Sequence, residues 1–381
     1  MKNDFDSIRP FRDEEVHEIL ISLVQEPDFE KVIGYAFPDN ISAVKNQLTQ
    51  IFSIKDFQSK IISSIVKNII QKSIDEITVD GLENIPRNKA SLIISNHRDI
   101  ILDSALLNYE LFLHGFPTTR IAIGSNLLQK KWIEQLVRLN KNFIVNRNIA
   151  PRQAYEYSLL LSSFIQQSVS SENESIWIAQ REGRTKDGDD RTQAGLLKML
   201  GLANEENGPD AYVELNIIPL SISYEYEPCA GMKAYEMFIR ERDKSYSKVP
   251  GEDLHSMKKG IEQPKGNVSL SFGRPISSDE ILGCFQGKNR NDSLKDLAHL
   301  IDLRIWNNFK LFPFHYIAAD RLSENPIYHK YYNREQEGLF DVFLEKELSP
   351  YPGQNHLLVD HFLKIYANPL ARKKEEGMEL N

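Results

Sequence analysis

The chain has few cysteines and no long apolar run, and these two absences exclude several classes of protein. Of its 381 residues, only Cys229 and Cys284 are cysteines, which is too few for a disulfide framework and too widely spaced for a zinc or redox motif. A spanning helix needs about 20 predominantly apolar residues, and the long uncharged stretch 157–171 is diluted by serine and glutamine. The sequence therefore predicts no transmembrane segment and a protein of the reducing cytoplasm.

A basic amino terminus and an overall excess of positive charge are missing as well. The first six residues include Asp4 and Asp6, whereas a secretory signal would carry basic residues followed by an apolar run. Its formal net charge is −8, which opposes binding to nucleic acid or to an anionic bilayer. We expect no nucleic-acid partner and a cytoplasmic location. Any contact with the inner face of the cell membrane must be local and peripheral.

One segment reverses this charge balance. Residues 130–152 contain Lys130, Lys131, Arg138, Lys141, Arg147 and Arg152, with Glu134 as the single acidic residue among them. Charge runs of this kind are often simply a solvated helix face. The alternative interpretation is a site for an anionic ligand or a lipid head group.

The apolar residues, 41% of the chain, change their spacing twice. Residues 1–75 show the three- and four-residue spacing of amphipathic helices, for example at 61–70. Residues 76–290 alternate short β-prone runs with helical segments, which predicts an α/β domain with a sheet flanked by helices. The helical spacing returns over 291–381. We therefore predict a helical N-terminal region (1–75), an α/β domain (76–290) and a helical C-terminal extension (291–381).

The β-prone runs and the helices between them can be placed approximately. The predicted strands are 77–79, 92–94, 121–123, 143–145, 176–178, 213–222 and 268–272. Intervening helices are predicted at 131–139 and 152–168.

The segment 92–103 is the most informative for chemistry, because an apolar strand runs directly into a polar cluster that contains His97, Asp99 and Asp103. Enzymes of the α/β class place reactive groups at strand ends. A histidine whose second ring nitrogen is held by a carboxylate can act as a general base. A lone His–Asp pair is weak evidence, however, in a chain with nine histidines and 54 acidic residues.

The surroundings of His97 resemble the phospholipid/glycerol acyltransferase family. Asn96 and His97 followed by Asp103 resemble its first block, and 79–86 (VDGLENIP) resembles the strand that leads into it. Three further blocks follow in the family's order at 143–147 (FIVNR), 176–185 (IWIAQREGRT) and 216–222 (NIIPLSI), and 268–276 (VSLSFGRPI) resembles its closing strand. The resemblance implies a mixed sheet with helices on both faces, as in glycerol-3-phosphate acyltransferase.

Two spacings depart from the family pattern. Asp103 lies one residue farther from His97 than the pattern has it, so Asp99 competes as the carboxylate that orients His97. We favour Asp103, because a carboxylate two residues from His97 tends to cap nearby backbone N–H groups instead. Arg184 follows Gly183 directly, without the intervening residue, so Arg181 or Lys186 could take the place of the family's arginine.

The resemblance implies a role for each matched residue. His97 is the general base and Asp103 its partner, whereas Asn96, Arg147, Glu182, Gly183 and Arg184 bind substrate, with the arginines gripping a phosphate. Neither cysteine lies in a block, so direct transfer without an acyl-enzyme is expected, with no metal and no cofactor.

The expected reaction is O-acylation of 1-acylglycerol-3-phosphate or glycerol-3-phosphate by acyl-CoA or acyl-carrier-protein. Two alternatives are an N-acyltransferase of aminolipid synthesis and a non-catalytic relative that binds acyl chains or lipid.

Overall fold

Short runs rich in isoleucine, valine and leucine form one mixed sheet at the centre of the molecule. A computed structural model describes residues 5–147, 149–204, 208–244, 246–247, 251–352 and 356–380. The strands are β1 (Glu76–Asp80), β2 (Leu92–Ser95), β3 (Arg120–Gly124), β4 (Asn142–Val145), β5 (Ile176–Ala179), β6 (Ile218–Tyr224) and β7 (Asn267–Phe272). Their order across the sheet is β1-β7-β6-β2-β5-β3-β4.

The direction of the strands decides where a site can form. Strands β6, β2, β5, β3 and β4 run parallel to one another. Strand β7 is antiparallel to β6, and β1 runs parallel to β7. Because β2, β5, β3 and β4 share one direction, their carboxyl ends lie along one edge of the sheet, where α/β proteins bind their ligands.

Helices precede, separate and follow the strands. The N-terminal helices are α1 (Asp13–Leu23), α2 (Pro27–Ala36), α3 (Ile41–Leu48), α4 (Ile54–Phe57) and α5 (Ser63–Ser73). Those of the middle segment are α6 (Leu102–Leu113), α7 (Lys131–Leu139), α8 (Pro151–Gln166), α9 (Ala194–Leu200), α10 (Asp210–Val213), α11 (Ala230–Arg242), α12 (Glu252–Glu262) and α13 (Ser278–Phe285). The last are α14 (Arg290–Asn308), α15 (Pro313–Leu322), α16 (Arg334–Leu348) and α17 (His356–Glu375).

The alternation of side chains along β2 and β5 divides the core into two layers. Leu92, Ile94 and Ile178 pack with apolar residues of α8, α9 and α14 on one face. Ile93 and Trp177 pack with residues of α5 and α6 on the other. Successive strand residues point to opposite faces, so a strand buried on both sides is mostly apolar, as Leu92, Ile93 and Ile94 of β2 are.

The C-terminal helices pack directly behind the loop that follows β5. The Trp306 indole Nε1–H donates to the carbonyl of Asp190 at 2.7 Å, and the Asn368 amide donates to the carbonyl of Asp187 at 2.7 Å. Between these contacts Gly188 has a φ of +75°, and a Cβ atom there would lie 2.2 Å from the carbonyl oxygen of Ile365. Close approach of α17 to this loop therefore requires glycine.

The predicted fold class, a mixed sheet flanked by helices, is confirmed, and each predicted β-prone run contains a strand. The prediction that a strand begins at Val213 is wrong. Val213 ends α10, Asn216 turns the chain with a φ of +45°, and β6 begins at Ile218. Leu215 is fully buried in that turn, so its apolar character reflects the core and not a strand. Among the helices of the described ranges, none has both the length and the apolar character that crossing a membrane requires.

Candidate active site

The loop between β2 and α6 carries His97 and bends back so that Asp103 meets it. The His97 Nδ1 atom lies 2.8 Å from Asp103 Oδ2. The same carboxylate oxygen accepts the backbone N–H groups of Arg98 at 2.6 Å and Asp99 at 3.0 Å. Its other oxygen accepts the hydroxyl of Tyr224, on β6, at 2.8 Å. Asp103, in the first turn of α6, therefore both closes the loop and orients the imidazole.

The charge state of Asp103 assigns the tautomer of His97. Burial alone would raise the pKa of Asp103, but the hydrogen bonds from His97, the Asp99 N–H and Tyr224 outweigh it and hold the pKa below its usual value. An ionised carboxylate can only accept hydrogen bonds, so Nδ1 of His97 carries the hydrogen. In the neutral imidazole this leaves Nε2 unprotonated and able to take a proton.

Asp99, the competing carboxylate, makes different contacts. Its Oδ1 accepts the N–H groups of Ile101 and Leu102 at 2.9 and 2.8 Å, which is the local capping expected for a carboxylate at this position. Its Oδ2 has no hydrogen-bond partner and lies so close to Gly260 that a Cβ atom there would be 2.1 Å away. Burial, followed by the charge of Asp103, raises the pKa of Asp99. The structure brings Asp103, not Asp99, to the imidazole.

His97 opens into a cavity of about 450 Å³ at the carboxyl ends of β2, β3, β4 and β5. Its polar end is lined by His97, Arg147, Arg181, Glu182, Gly183 and Arg184. Apolar side chains line it as well, among them Ile121, Ile123, Val145, Leu161, Trp177 and Met199, together with the polar residues Ser104, Asn126, Asn142, Gln193 and Asp253. The Trp177 ring meets the His97 ring edge-on with centroids 5.7 Å apart. The cavity thus combines a base, cationic groups and a surface suited to an alkyl chain.

The arginines of the cavity are placed by the ends of β4 and β5. Arg147 follows β4 and forms an ion pair with Glu182, which follows β5. Nε of Arg181 and Nη1 of Arg184 are buried without a hydrogen-bond partner. A buried donor without a partner is costly, so these two atoms are ready to meet an anion. Lys186 instead pairs with Glu236 on α11 and is not among the residues that line the cavity.

Asn96 lies outside the cavity wall. It is fully buried, and its amide accepts the N–H of Ile222 at 2.8 Å and donates to the Ile222 carbonyl at 2.9 Å. This pair of bonds fixes the end of β2 to β6. Gly183, by contrast, is exposed in the cavity rim with a φ of +72°, where a glycine allows the turn between Glu182 and Arg184.

The basic segment 130–152 divides between the two interpretations. Lys130, Arg138 and Lys141 pair with Asp28, Glu134 and Glu174, respectively. Arg147 reaches the cavity. Three of the six basic residues are therefore paired with carboxylates outside the cavity, and Arg147 is the one of the six that lines the cavity.

Sequence reasoning missed the polar groups that lie behind His97. Arg98 is 1% exposed and pairs with Asp190 and Glu227, which lie 92 and 129 residues away along the chain. Tyr224 lies 121 residues from Asp103. The only local signal was an arginine directly after a buried strand and histidine. No spacing rule links such distant partners, so their convergence could not be foreseen. In the described residues, no group of three or more His, Cys, Asp and Glu is placed to hold a metal ion.

Solved structures give weak likenesses. The 1-acyl-sn-glycerophosphate (LPA) acyltransferase PlsC from Thermotoga maritima aligns with 76% of this chain and 94% of its own, at 13% identity and a TM-score of 0.36. The signal recognition particle receptor FtsY from Elizabethkingia anophelis, in complex with GDP, aligns with 75% of this chain and 94% of its own, at 13% identity and a TM-score of 0.23. Scores this low carry no argument about fold or function. No curated protein matches the chain.

The family comparison is specific to the segment that holds the site. The acyltransferase family model matches residues 76–223, a range that begins at β1, ends within β6 and contains His97, Asp103, Arg147 and Glu182. The match covers four of the blocks from which the resemblance was drawn. Residues 76–223 accordingly match the acyltransferase family, and the family resemblance of this part of the chain is confirmed.

Proposed function

We propose that the chain is an O-acyltransferase that moves a fatty acyl group from acyl-CoA or acyl-carrier-protein to a phosphorylated glycerol. The acceptor is 1-acylglycerol-3-phosphate in preference to glycerol-3-phosphate. The observation that carries the proposal is the His97–Asp103 pair beside a cavity that is lined by three arginines and by several apolar side chains. A base, an anion site and an alkyl surface are what this transfer requires in one place.

The proposed reaction starts with proton transfer to His97. A hydroxyl is a poor nucleophile until a base accepts its proton, and Nε2 of His97 is the unprotonated nitrogen. As the hydroxyl oxygen bonds to the thioester carbonyl carbon, its proton passes to Nε2, and Asp103 stabilises the imidazolium. The C–S bond then breaks, and the same proton leaves with the thiolate. Thioester cleavage drives ester formation, so the proposed transfer needs no cofactor.

The arginines orient the acceptor in this scheme. A phosphate is gripped best by guanidinium groups, because their planar N–H pairs match its oxygens. Arg184 offers an unpaired buried Nη1 atom, and Arg147 is held at the cavity by Glu182. A bound phosphate would replace Glu182 as the partner of Arg147. In this scheme Glu182 positions Arg147 and does not take part in the reaction. Gly183 keeps the turn between Glu182 and Arg184 free of a side chain.

The test is acyl transfer by the wild-type chain and by His97→Ala, followed by release of free thiol and by the mass of the product. A general base contributes typically 10²–10⁴-fold, so His97→Ala should lose at least about 100-fold in kcat. His114→Ala is the matched control, since His114 lies at the other end of α6 with its side chain 43% exposed, and it should keep wild-type activity.

The acceptor panel should contain 1-acylglycerol-3-phosphate, glycerol-3-phosphate and an amine of similar size. An acylated amine as the main product would replace the proposal with N-acyl transfer. No thiol release above that of His97→Ala with any acceptor would leave a lipid-binding protein. More than about a tenth of wild-type turnover in His97→Ala would remove the general-base role.

A further inference from the structure

The loop that carries His97 rests on a buried group of four charged side chains, Arg98, Asp190, Glu227 and Lys233, hereafter the buried charge network. None of the four is more than 3% exposed. Arg98 pairs with Asp190 through Nη2 and with Glu227 through Nη1, the latter at 3.3 Å. Lys233 donates to Glu227 Oε1 at 2.5 Å. Two cationic side chains thus face two carboxyl side chains.

The network holds the backbone at His97 and at Arg98, the residue that follows it. Lys233 Nζ donates to the carbonyl of Arg98 at 2.6 Å. Asp190 Oδ1 accepts the hydroxyl of Thr185 at 2.6 Å, and the Thr185 N–H donates to the carbonyl of His97 at 2.8 Å. The carbonyl groups of His97 and Arg98 are therefore both anchored to the network, directly or through one residue.

The C-terminal helices complete this support. Phe309 places its ring 5.2 Å from the Arg98 guanidinium carbon. The Glu227 N–H donates to the hydroxyl oxygen of Tyr366 at 2.8 Å, and Trp306 donates to the Asp190 carbonyl. Glu227, Lys233 and these aromatic residues all lie beyond residue 223, where the family match ends. Arg98, Asp190 and Thr185 lie within the match, so the support for His97 comes partly from segments that the family model does not reach.

Charge burial on this scale has a physical cost that local stability does not explain. Each ion taken out of water costs several kcal/mol, and an apolar core of the same volume would often be as stable or more stable. What a charged, multiply bonded group supplies is a single geometry, because breaking one contact leaves a charge without compensation. Misplacement of a catalytic group by about 1 Å can cost 10²-fold in rate.

We infer that the buried charge network is a positioning device for His97, in which Glu227 and Lys233 are positioning residues. The inference rests on the proposed acyltransferase function, since it assigns how that function's base is held. The network touches neither the cavity nor a substrate: none of its four members lines the cavity. It acts by fixing the imidazole against Asp103 and toward the cavity.

Glu227→Gln is the principal test, because it keeps the shape of the side chain and removes one of the two negative charges. We expect kcat to fall about 10²-fold while the KM values for donor and acceptor stay within about twofold. The matched control is Glu347→Gln. Glu347, on α16, is also buried, at 4% exposure, and its carboxylate pairs with Lys259 of α12 at 2.8 Å and accepts the N–H of Gly231 in α11 at 3.1 Å. It should lose similar thermal stability but keep kcat within about twofold.

A second readout does not depend on catalysis. With ¹⁵N-labelled histidine, the Nδ1–H of His97 bonded to Asp103 should give a downfield proton signal, assigned by its absence in His97→Ala. Glu227→Gln should shift or broaden this signal, and Glu347→Gln should leave it unchanged. If no acyl transfer is detected at all, the proposed function fails while this signal still decides whether the network positions His97.

Tyr366→Phe covers the case in which Glu227→Gln does not fold. It keeps all four charges and removes only the hydroxyl that accepts the Glu227 N–H, so a loss of about tenfold in kcat and a smaller change of the signal are expected. The inference is overturned if the signal and kcat survive in the folded variant, or if Glu347→Gln reproduces the same losses. The second outcome would mean that general destabilisation is the cause.

Discussion

The front and the back of the loop that carries His97 differ in whether their charged side chains have hydrogen-bond partners. The front faces the cavity, where Arg181 and Arg184 keep buried nitrogen atoms without partners and Glu182 is 69% exposed on its side chain. The back faces the core, where Asp103 accepts four hydrogen bonds. The groups proposed to bind substrate and those proposed to position His97 therefore lie on opposite sides of one loop. Substitutions in front should change the use of substrate, whereas substitutions behind should change turnover or stability.

The largest effect should come from Asp103→Asn, behind the loop. In triad enzymes the same replacement of the orienting carboxylate costs about 10⁴-fold, because the imidazole takes the wrong tautomer. We expect a similar loss of kcat here. Asp99→Asn should lose at most about tenfold, since Asp99 caps Ile101 and Leu102 without touching the imidazole. Steady-state kinetics of the two folded variants decide this, and the reverse order would make Asp99 the partner of His97.

The next effect concerns stability behind the site. Thr192 donates to Asp302 Oδ1 through its N–H at 2.7 Å and its hydroxyl at 2.6 Å, and burial raises the pKa of Asp302 to about 7. A folded pKa above the unfolded value of 3.8 adds stability that is complete below about pH 4 and lost as the pH rises through 7. The wild-type chain should lose on the order of a few kcal/mol across this window.

Asp302→Asn should flatten that dependence and raise the melting temperature at pH 8 relative to wild type. Melting curves from pH 4 to 8 give the measurement. Asp296→Asn, on the same helix with a side chain 42% exposed, should leave the slope intact. If the wild-type melting temperature rises between pH 5 and 8 where a fall is predicted, the pKa of Asp302 is not raised in the folded chain.

A smaller effect is expected in front of the loop from Arg147→Ala and Arg184→Ala. A charge-assisted contact to phosphate contributes roughly 1.5–3 kcal/mol, so the acceptor KM should rise about ten- to a hundredfold while the donor KM hardly changes. Lys186→Ala is the control, because Lys186 pairs with Glu236 away from the cavity. If Arg181→Ala raises the acceptor KM and Arg184→Ala does not, Arg181 holds the phosphate. A rise in the donor KM alone would assign these arginines to the phosphates of the donor.

The smallest effect compares one substitution at two glycines. A Cβ atom on Gly183 would meet no atom within 4 Å, so Gly183→Ala should cost only the strain of its positive φ, about 1–2 kcal/mol in the free energy of unfolding. Behind the loop, Gly188→Ala adds a collision with the Ile365 carbonyl and should cost clearly more. Denaturant unfolding of both variants measures the difference. Equal costs would mean that α17 moves away from the added methyl group without lowering the free energy of unfolding.

The sequence predicted the fold and the front of the site better than the back. Strands such as 92–94 and 176–178 are short apolar runs, and both are found in β2 and β5. Arg147, Glu182 and Arg184 follow strand ends, and strands of one direction bring their carboxyl ends to one edge. The catalytic and binding roles of these residues stay predictions.

The order of the strands and the partners of Arg98 could not be predicted. Strand β6 lies between β7 and β2 although long stretches of chain separate them, and Glu227 and Lys233 lie in no recognisable motif. Spacing rules describe neighbours along the chain, whereas these contacts depend on how whole elements pack. Asn96 shows the same limit. Its place in the family block predicted that it binds substrate, but its amide is hydrogen-bonded to the backbone of Ile222.

The contact between Glu227 and Tyr366 has a consequence for the newly synthesised chain. The two residues are 139 positions apart, and at 5–20 residues per second the ribosome needs roughly 7–28 s to cover that distance. During this interval residues 76–223 are already made, but the helix that carries Tyr366 is not. A nascent chain would therefore hold all the matched motifs before His97 is fixed in place, so we expect the proposed activity to begin only after α17 has been made.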